Sequence, residues 1–86
     1  MSRYILTKDQ LGQNIKRFRE QKKMLQADLA IKLHLKSRTT ISFYERGLTY
    51  PSIPHLIQMA EIFGIEVQEL LLRDESIIQS DNSSTY

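Results

Sequence analysis

Apolar residues recur at helical spacing along most of the chain, and this pattern predicts five short helices. The alternation that a β-strand requires is almost absent, and only three Gly and two Pro interrupt the 86 residues. The predicted helices span about residues 8–22, 26–33, 38–46, 53–63 and 66–72. A chain of this length can build one small core but not two, so we expect a single all-α domain.

Each predicted helix has one apolar face, and these faces are expected to form the core. In the first helix Leu11, Ile15 and Phe18 fall at i, i+4 and i+7, which makes one stripe. The small side chain of Ala30 in the second helix lets the third helix approach closely. The other side chains predicted to point inward are those of Leu29, Leu33, Ile41, Tyr44, Ile53, Leu56, Ile57, Ala60, Phe63, Val67, Leu70 and Leu71.

Glycines and a serine mark the predicted helix ends. Gly47 and Gly64 follow the third and fourth helices, where a residue with a left-handed backbone commonly ends a helix. Pro51 keeps the residue before it out of the helical region. The hydroxyl of Ser52 can then accept a hydrogen bond from the first free amides of the fourth helix.

The two ends of the chain differ from its middle. We expect residues 1–7 to form an N-terminal arm and residues 8–72 the domain. Residues 73–86 are expected to form a partly or wholly disordered tail, because they end in the polar run SDNSSTY. The start of the chain lacks the pattern of a secretory signal, and no apolar run approaches the roughly 20 residues of a membrane span. The expected location is the cytoplasm.

Charge is distributed unevenly along the chain. Residues 1–50 have seven more basic than acidic side chains, whereas residues 51–86 have five more acidic than basic ones. A basic half suits a polyanion such as DNA, because binding releases counterions from the phosphates. Charge alone nevertheless favours the ordinary interpretation, a solvated helix face. That interpretation applies above all to Lys16, Arg17, Lys22 and Lys23.

The residue types needed for catalysis or metal binding are missing or isolated. The chain has no cysteine, which excludes a disulfide framework and a thiolate metal site. His34 and His55 stand alone, and no paired carboxylates accompany them, so a zinc site is not expected. No Ser/His/Asp set, Gly-rich phosphate loop or acid pair appears. We therefore expect neither an enzyme nor a cofactor.

Six short segments follow one another in an order and spacing that resemble a known family. They are LGQNIKRFRE, QADLA, TTIS, YERG, PS and IFGIEVQELL, and they cover about residues 11–72. In them the chain resembles the phage-repressor-like helix-turn-helix proteins of the Cro/C1 or XRE type. The resemblance implies a five-helix, lambda-repressor-like DNA-binding domain. Helices 2 and 3 would form the helix-turn-helix, with helix 3 in the major groove.

The resemblance also implies which side chains contact double-stranded DNA. Gln26 opens helix 2 and would contact a backbone phosphate. Arg38 is the best candidate for a two-pronged contact to guanine. The implied neighbours in the first turn of helix 3, facing base edges and flanking phosphates, are Ser37, Thr39 and Thr40. Ser37 is equally well explained as the cap of helix 3.

Four further positions follow from the same resemblance. Phe43 lies one turn beyond the threonines, where the family often has a polar residue, so it would contact either a thymine methyl or another protein. Ser42 is a weaker phosphate candidate. Arg46 and Tyr50 flank the loop after helix 3, where the family commonly contacts phosphate.

Arg19 and Glu45 match a pair that the family buries as a salt bridge between helices 1 and 3. The pair would orient the recognition helix. The chain departs from the family pattern in the turn between helices 2 and 3, which is one residue longer over His34 to Ser37. His34 stands where a glycine usually has a left-handed backbone. Leu25 stands where a Ser or Thr cap is usual.

The implied function is a sequence-specific transcriptional regulator, most simply a repressor, that acts as a homodimer in the cytoplasm or on the nucleoid of a bacterium or phage host. The homodimer would form through helix 5 and the residues after it, namely Val67, Leu70, Leu71, Ile77 and Ile78. Leu70 and Leu71 are better explained as core. An alternative is an antitoxin whose acidic half binds a protein partner. Another is a protein-interaction module on the same fold.

Overall fold

The chain folds into five helices, as the apolar pattern predicts. A computed structural model describes residues 7–72, and no β-strand occurs among them. The helices are α1 (Lys8–Gln21), α2 (Gln26–Lys32), α3 (Thr39–Glu45), α4 (Ile53–Phe63) and α5 (Val67–Leu71). Each helix begins and ends within one residue of its predicted bounds. The predicted N-terminal arm, apart from Thr7, and the predicted tail lie outside the described residues.

All five helices contribute buried side chains to one core. The buried apolar side chains are those of Leu11, Ile15, Leu29, Ala30, Leu33, Ile41, Tyr44, Met59, Ala60, Phe63 and Leu70. Phe18, Leu56, Val67 and Leu71 pack against this cluster at its edge. Burial of this set supplies the main driving force for folding, since each large apolar side chain contributes roughly 1.5–3 kcal/mol. The predicted inward faces of α1, α2, α3 and α5 are thereby confirmed.

Helix α4 departs from the prediction. Ile53 and Ile57 were expected to point inward, but their side chains are 71% and 46% exposed. The expectation was wrong because α4 has apolar residues on more than one side, so spacing alone does not identify the inner face. Met59, which was not predicted, is completely buried. The core side of α4 consists of Leu56, Met59, Ala60 and Phe63.

Helices α1 and α3 approach each other closely at Gly12. A Cβ atom at Gly12 would lie 2.7 Å from the carbonyl oxygen of Glu45, and it would also strike that of Tyr44. These are backbone atoms of α3, so they cannot move aside without moving the helix. Glycine is therefore required for this packing, which holds α3 against the rest of the domain.

Side chains and backbone close the helix ends. The hydroxyl of Ser52 accepts a hydrogen bond from His55 N at 3.3 Å, which confirms the predicted cap of α4. Gly64 ends α4 with a left-handed φ of 73°. Helix α5 has only five residues. Buried Asn14 secures its C-terminal end, because Asn14 Nδ2 donates to Leu70 O at 2.8 Å and to Leu72 O at 2.7 Å.

Candidate nucleic-acid interface

A left-handed residue ends α2 and turns the chain towards α3. His34 has a φ of 60°, as predicted for the position where related chains place glycine. Its N–H donates to Ile31 O at 3.0 Å, and the N–H of Leu35 donates to Ala30 O at 2.9 Å. This is the hydrogen-bond pattern of a Schellman motif. Leu35 packs against the core, which anchors the turn.

The entry into α3 is formed by Ser37 and Arg38. Ser37 Oγ accepts a hydrogen bond from Thr39 N at 3.3 Å, which is a capping contact. The carbonyl oxygen of Arg38 accepts from Ser42 N at 2.9 Å, so Arg38 already takes part in the helical ladder. The Ser37 hydroxyl hydrogen is not used in the cap, so Ser37 can cap α3 and still donate to a phosphate.

Helix α3 has one side in the core and one side in solvent. The buried residues of α3 are Ile41, Tyr44 and Glu45. Thr39, Phe43 and Arg46 are exposed and lie at i, i+4 and i+7, which places them on one side of the helix. Thr40 and Ser42 are half-buried at its flanks. Phe43 is 41% exposed, a large apolar surface for the outer side of a helix.

The inner side of α3 is joined to α1 by a buried ion pair. Arg19 Nε lies 2.6 Å from Glu45 Oε2, and Arg19 Nη2 donates to Glu45 Oε1 at 3.1 Å. Arg19 Nη1 also donates to Met24 O at 2.6 Å. The hydrogen bond to Glu45 raises the pKa of Arg19 above its ordinary value, although burial opposes this. The two planar groups meet along two parallel bonds, which fixes the rotation of α3 relative to α1.

Gln26 extends this pair to the surface. Its Nε2 donates to Glu45 Oε1 at 3.0 Å, and its Oε1 accepts from Arg38 Nη1 at 3.2 Å. Arg19, Glu45, Gln26 and Arg38 therefore form one continuous chain of hydrogen bonds. The Arg19–Glu45 pair was expected from the family resemblance and is confirmed. Its extension through Gln26 to Arg38 was not expected, because no spacing along the chain relates these residues.

Two of the residues predicted to contact phosphate, Gln26 and Tyr50, line different depressions of the surface. Arg19, Gln26 and Arg38 line a shallow depression where α2 begins, together with Leu25 and Ala27. Leu25 has no capping side chain, and Asp28 Oδ2 accepts its N–H instead at 2.8 Å. Tyr50 lies apart from this depression, since it lines another one together with Lys8 at the start of α1. Lys8 Nζ is 5.8 Å from the centre of the Tyr50 ring.

A hydrogen bond joins Tyr44 of α3 to His55 of α4, and His55 was not assigned any role from the sequence. The Tyr44 hydroxyl and His55 Nδ1 are hydrogen-bonded at 2.8 Å. Burial raises the pKa of Tyr44 above its ordinary value, and a backbone hydrogen bond with Ser52 partly opposes this. The only signal in the sequence is that both residues stand near the ends of adjacent helices.

Comparison with known proteins agrees with this geometry. A family model described as Helix-turn-helix matches residues 15–70. The chain belongs to the Cro/C1, XRE-type helix-turn-helix family. No curated protein sequence matches the chain.

Solved structures of other helix-turn-helix proteins have the same fold. A hypothetical transcription factor, NHTF, from Neisseria is 27% identical with a TM-score of 0.74, over 86% of this chain and 84% of that one. SinR, a master regulator for biofilm formation solved in complex with DNA, is 31% identical with a TM-score of 0.64, over 70% and 95%. The P22 c2 repressor, solved with a synthetic operator, is 28% identical with a TM-score of 0.66, over 71% and 91%. The predicted five-helix lambda-repressor-like fold is confirmed.

The family assignment also settles the class of protein. This helix-turn-helix chain is not an enzyme, since its family and its structural neighbours are regulators. Among residues 7–72, no cluster of His, Asp and Glu is arranged to hold a metal ion. Within the same range no helix is long and apolar enough to cross a membrane.

Helix α5 was predicted to form the dimer surface, but its apolar side chains are turned towards the core of the same chain. Leu70 is completely buried, as its interpretation as core required. Val67 and Leu71 are partly buried against the core rather than free on the surface. Ile77 and Ile78 lie outside the described residues. The large apolar side chains that are exposed among the described residues belong to other segments.

Proposed function

We propose that this protein is a sequence-specific DNA-binding transcriptional regulator that contacts the major groove with α3. The observation that carries the proposal is the division of α3 into two sides. Its inner side is fixed by the Arg19–Glu45 ion pair, while Thr39, Phe43 and Arg46 are presented to solvent on its outer side. A rigidly held helix with short polar and basic side chains outward suits base contacts. The DNA in the SinR and P22 c2 structures supports the proposal.

Each side chain then has a role set by its chemistry. Arg38 donates two hydrogen bonds to guanine, and the methyl groups of Thr39 and Thr40 contact thymine methyl groups. Phe43 adds an apolar contact to thymine. One amide hydrogen of Gln26 is taken by Glu45, which leaves the second for a phosphate oxygen. The remaining phosphate contacts are Ser37, Ser42, Arg46 and Tyr50.

Two copies act together in this proposal. One short helix contacts only a few base pairs, so specificity in a genome requires a second. A homodimer presents two α3 helices to half-sites about one helical turn apart, roughly 10 base pairs, in the cytoplasm or nucleoid of a cell. Occupying a promoter in this way blocks transcription without any further activity, which makes repression the simplest outcome.

Selection from a pool of random DNA duplexes, at two salt concentrations, tests the proposal. The retained duplexes are sequenced, and we expect enrichment of an inverted repeat. The binding constant should fall steeply with salt, because each neutralised phosphate releases a counterion. Binding without enrichment, or no binding at either salt concentration, contradicts the proposal. The second result favours a protein-interaction module in which Phe43 contacts a protein.

A further inference from the structure

Helix α4 presents an apolar surface that the core does not use. Ile53 and Ile57 lie four residues apart on the same side of the helix and are 71% and 46% exposed. Leu48, in the loop before α4, is 53% exposed. The proposed DNA contacts do not include any of the three. We call the adjacent pair Ile53 and Ile57 the α4 patch.

The segment that contains the α4 patch is free of formal charge. Between Arg46 and Glu61 there is no Asp, Glu, Lys or Arg, although 26% of the chain consists of these four residues. Charged side chains of α1 adjoin the start of this segment, since Asp9 lies beside Gly47 and Lys8 Nζ is 5.8 Å from the centre of the Tyr50 ring. The uncharged side chains of α4 before Glu61 can be covered without the desolvation penalty that a charged side chain would bring. The composition of this segment is that of the centre of a protein interface, where charged residues are depleted.

We propose that the α4 patch is the contact between two copies of this chain, and that Ile53 and Ile57 lie at its two-fold axis. The argument is one of symmetry. Across a two-fold axis a patch meets itself, so any charge near the axis faces the same charge. The uncharged segment avoids this repulsion. This inference rests on the homodimer of the proposed function and names its surface.

The charged residue nearest to the patch along α4 fits the same arrangement. Glu61 is eight residues beyond Ile53, which places it about 12 Å further along the helix axis. When two α4 helices cross in opposite directions near Ile53 and Ile57, the two Glu61 carboxylates lie at opposite ends of the contact. The repulsion between them is then weak, because solvent screens exposed charges at such distances.

The position of α4 links this contact to DNA binding. Tyr44 of α3 is hydrogen-bonded to His55 of α4 at 2.8 Å, so the two helices are in direct contact. A contact between two α4 helices therefore limits the separation of the two α3 helices. That is the geometric requirement for binding an inverted repeat.

The decisive variants place a charge in the patch of the full-length chain. Ile57→Lys and Ile53→Lys each bring two like charges together at the axis. We expect the dimer dissociation constant, measured by sedimentation equilibrium, to rise at least about tenfold. Ile31→Lys is the matched control, since Ile31 is 70% exposed on α2. It should change the constant by no more than about twofold. Circular dichroism verifies that each variant is folded.

Charge complementation identifies the occupant of the patch. When the Ile57→Lys and Ile57→Glu chains are mixed, we expect a heterodimer to form where neither variant dimerises alone. This result requires that the patch of one copy faces the patch of the other. A wild-type chain that stays monomeric at every concentration overturns the proposal. That result is expected if residues 73–86, or a different protein, cover the α4 patch instead of a second copy. Dimers that persist unchanged in both Lys variants also overturn it.

A half-site duplex separates this proposal from the proposed function. Ile57→Lys should bind a single half-site as the wild type does, while losing the preference for the inverted repeat. If the Lys variants weaken the dimer but no chain binds DNA specifically, the contact stands and the proposed function is wrong. If specific binding occurs and Ile57→Lys binds the inverted repeat like the wild type, the contact is wrong and the proposed function stands.

Discussion

The amide oxygen of Gln26 accepts a hydrogen bond from Arg38 Nη1 over 3.2 Å, which joins the first residue of α2 to the residue before α3. The amide can point only one way, because its Nε2 is held by Glu45 at 3.0 Å. The buried carboxylate of Glu45 thus orients the Gln26 amide so that its oxygen faces the surface. The guanidinium group of Arg38 is held by that amide before any DNA is bound.

Removal of the Arg38 side chain should weaken and broaden DNA recognition. We expect Arg38→Ala to cost about 1–3 kcal/mol of binding free energy and to relax the base preference at one position of each half-site. Arg38→Lys should not restore the preference, since an ammonium group lacks the two-pronged geometry. Competition binding against a set of single-base operator variants measures both effects. A uniform loss over all sequences would instead identify Arg38 as a phosphate contact.

Gln26→Ala should weaken the preference at the same base position without removing the Arg38 guanidinium. It should also lower the affinity for all sequences alike, because it removes the proposed phosphate contact of Gln26. The substitution removes the hydrogen bond that holds the Arg38 guanidinium. The side chain must then become ordered when DNA binds, which costs roughly 0.5–1.5 kcal/mol of binding free energy. We expect Gln26→Ala to lose less base preference than Arg38→Ala. The loss of base preference in the double variant should be smaller than the sum of the losses in the two single variants. Binding isotherms of the two single variants and the double variant test this. Gln13→Ala, on the exposed side of α1, is the control.

The Arg19–Glu45 pair should matter for stability mainly when it is broken. Glu45→Leu leaves the Arg19 guanidinium buried without its carboxylate, and we expect a loss of about 3–5 kcal/mol in the free energy of unfolding. The double variant Arg19→Leu, Glu45→Leu should recover a large part of this loss, because no charge is then stranded in the core. Urea denaturation provides the free energies. Equal losses in the single and double variants would show that the pair itself is strongly stabilising.

Gly12→Ala should disturb α3 although it lies in α1. The added methyl group meets the backbone of Glu45 at 2.7 Å, so the two helices must separate. We expect a loss of about 1–3 kcal/mol in stability, the usual cost of an overpacked contact. Thermal unfolding measures the loss, and Gln13→Ala again provides the control. An unchanged melting temperature would mean that α1 and α3 are not in close contact.

Tyr44 should make the domain sensitive to alkali. An unfolded tyrosine loses its proton near pH 10, whereas burial keeps the pKa of Tyr44 higher in the folded chain. Above that pH the unfolded state binds fewer protons than the folded one, so stability falls as the pH rises. Tyrosinate absorbance should show a component from Tyr44 that titrates late. Tyr44→Phe should abolish that late step and the associated loss of stability.

The helices and most of the core could be predicted because local spacing determines them. Leu11 and Ile15, or Leu29 and Leu33, can share a face in only one way once the helix is assumed. The exposed position of Ile57 could not be predicted, because α4 is apolar on two sides and only its packing partners distinguish them. The need for glycine at position 12 was missed for a similar reason, since it depends on the backbone of a helix more than thirty residues away.

The candidate site could likewise be predicted only in part. Residue types and their order, through a family resemblance, were sufficient to predict the Arg19–Glu45 ion pair, which is confirmed. The DNA contacts of Gln26 and Arg38 stay predictions from the same resemblance. Their joining into one hydrogen-bonded chain is a property of three-dimensional placement, with partners up to 26 residues apart. The hydrogen bond between His55 and Tyr44 could not be predicted, because the two residues lie on different helices and no sequence spacing relates them.

Asn14 has a consequence for whatever follows the domain in the chain. Its amide fixes the carbonyl oxygens of Leu70 and Leu72, so the polypeptide departs from a position set by α1. Because α1 also packs closely against α3 at Gly12, one helix holds both the end of α5 and the inner side of α3. A reporter or a second protein fused after residue 72 would therefore be attached at a point whose position relative to α3 is set by α1.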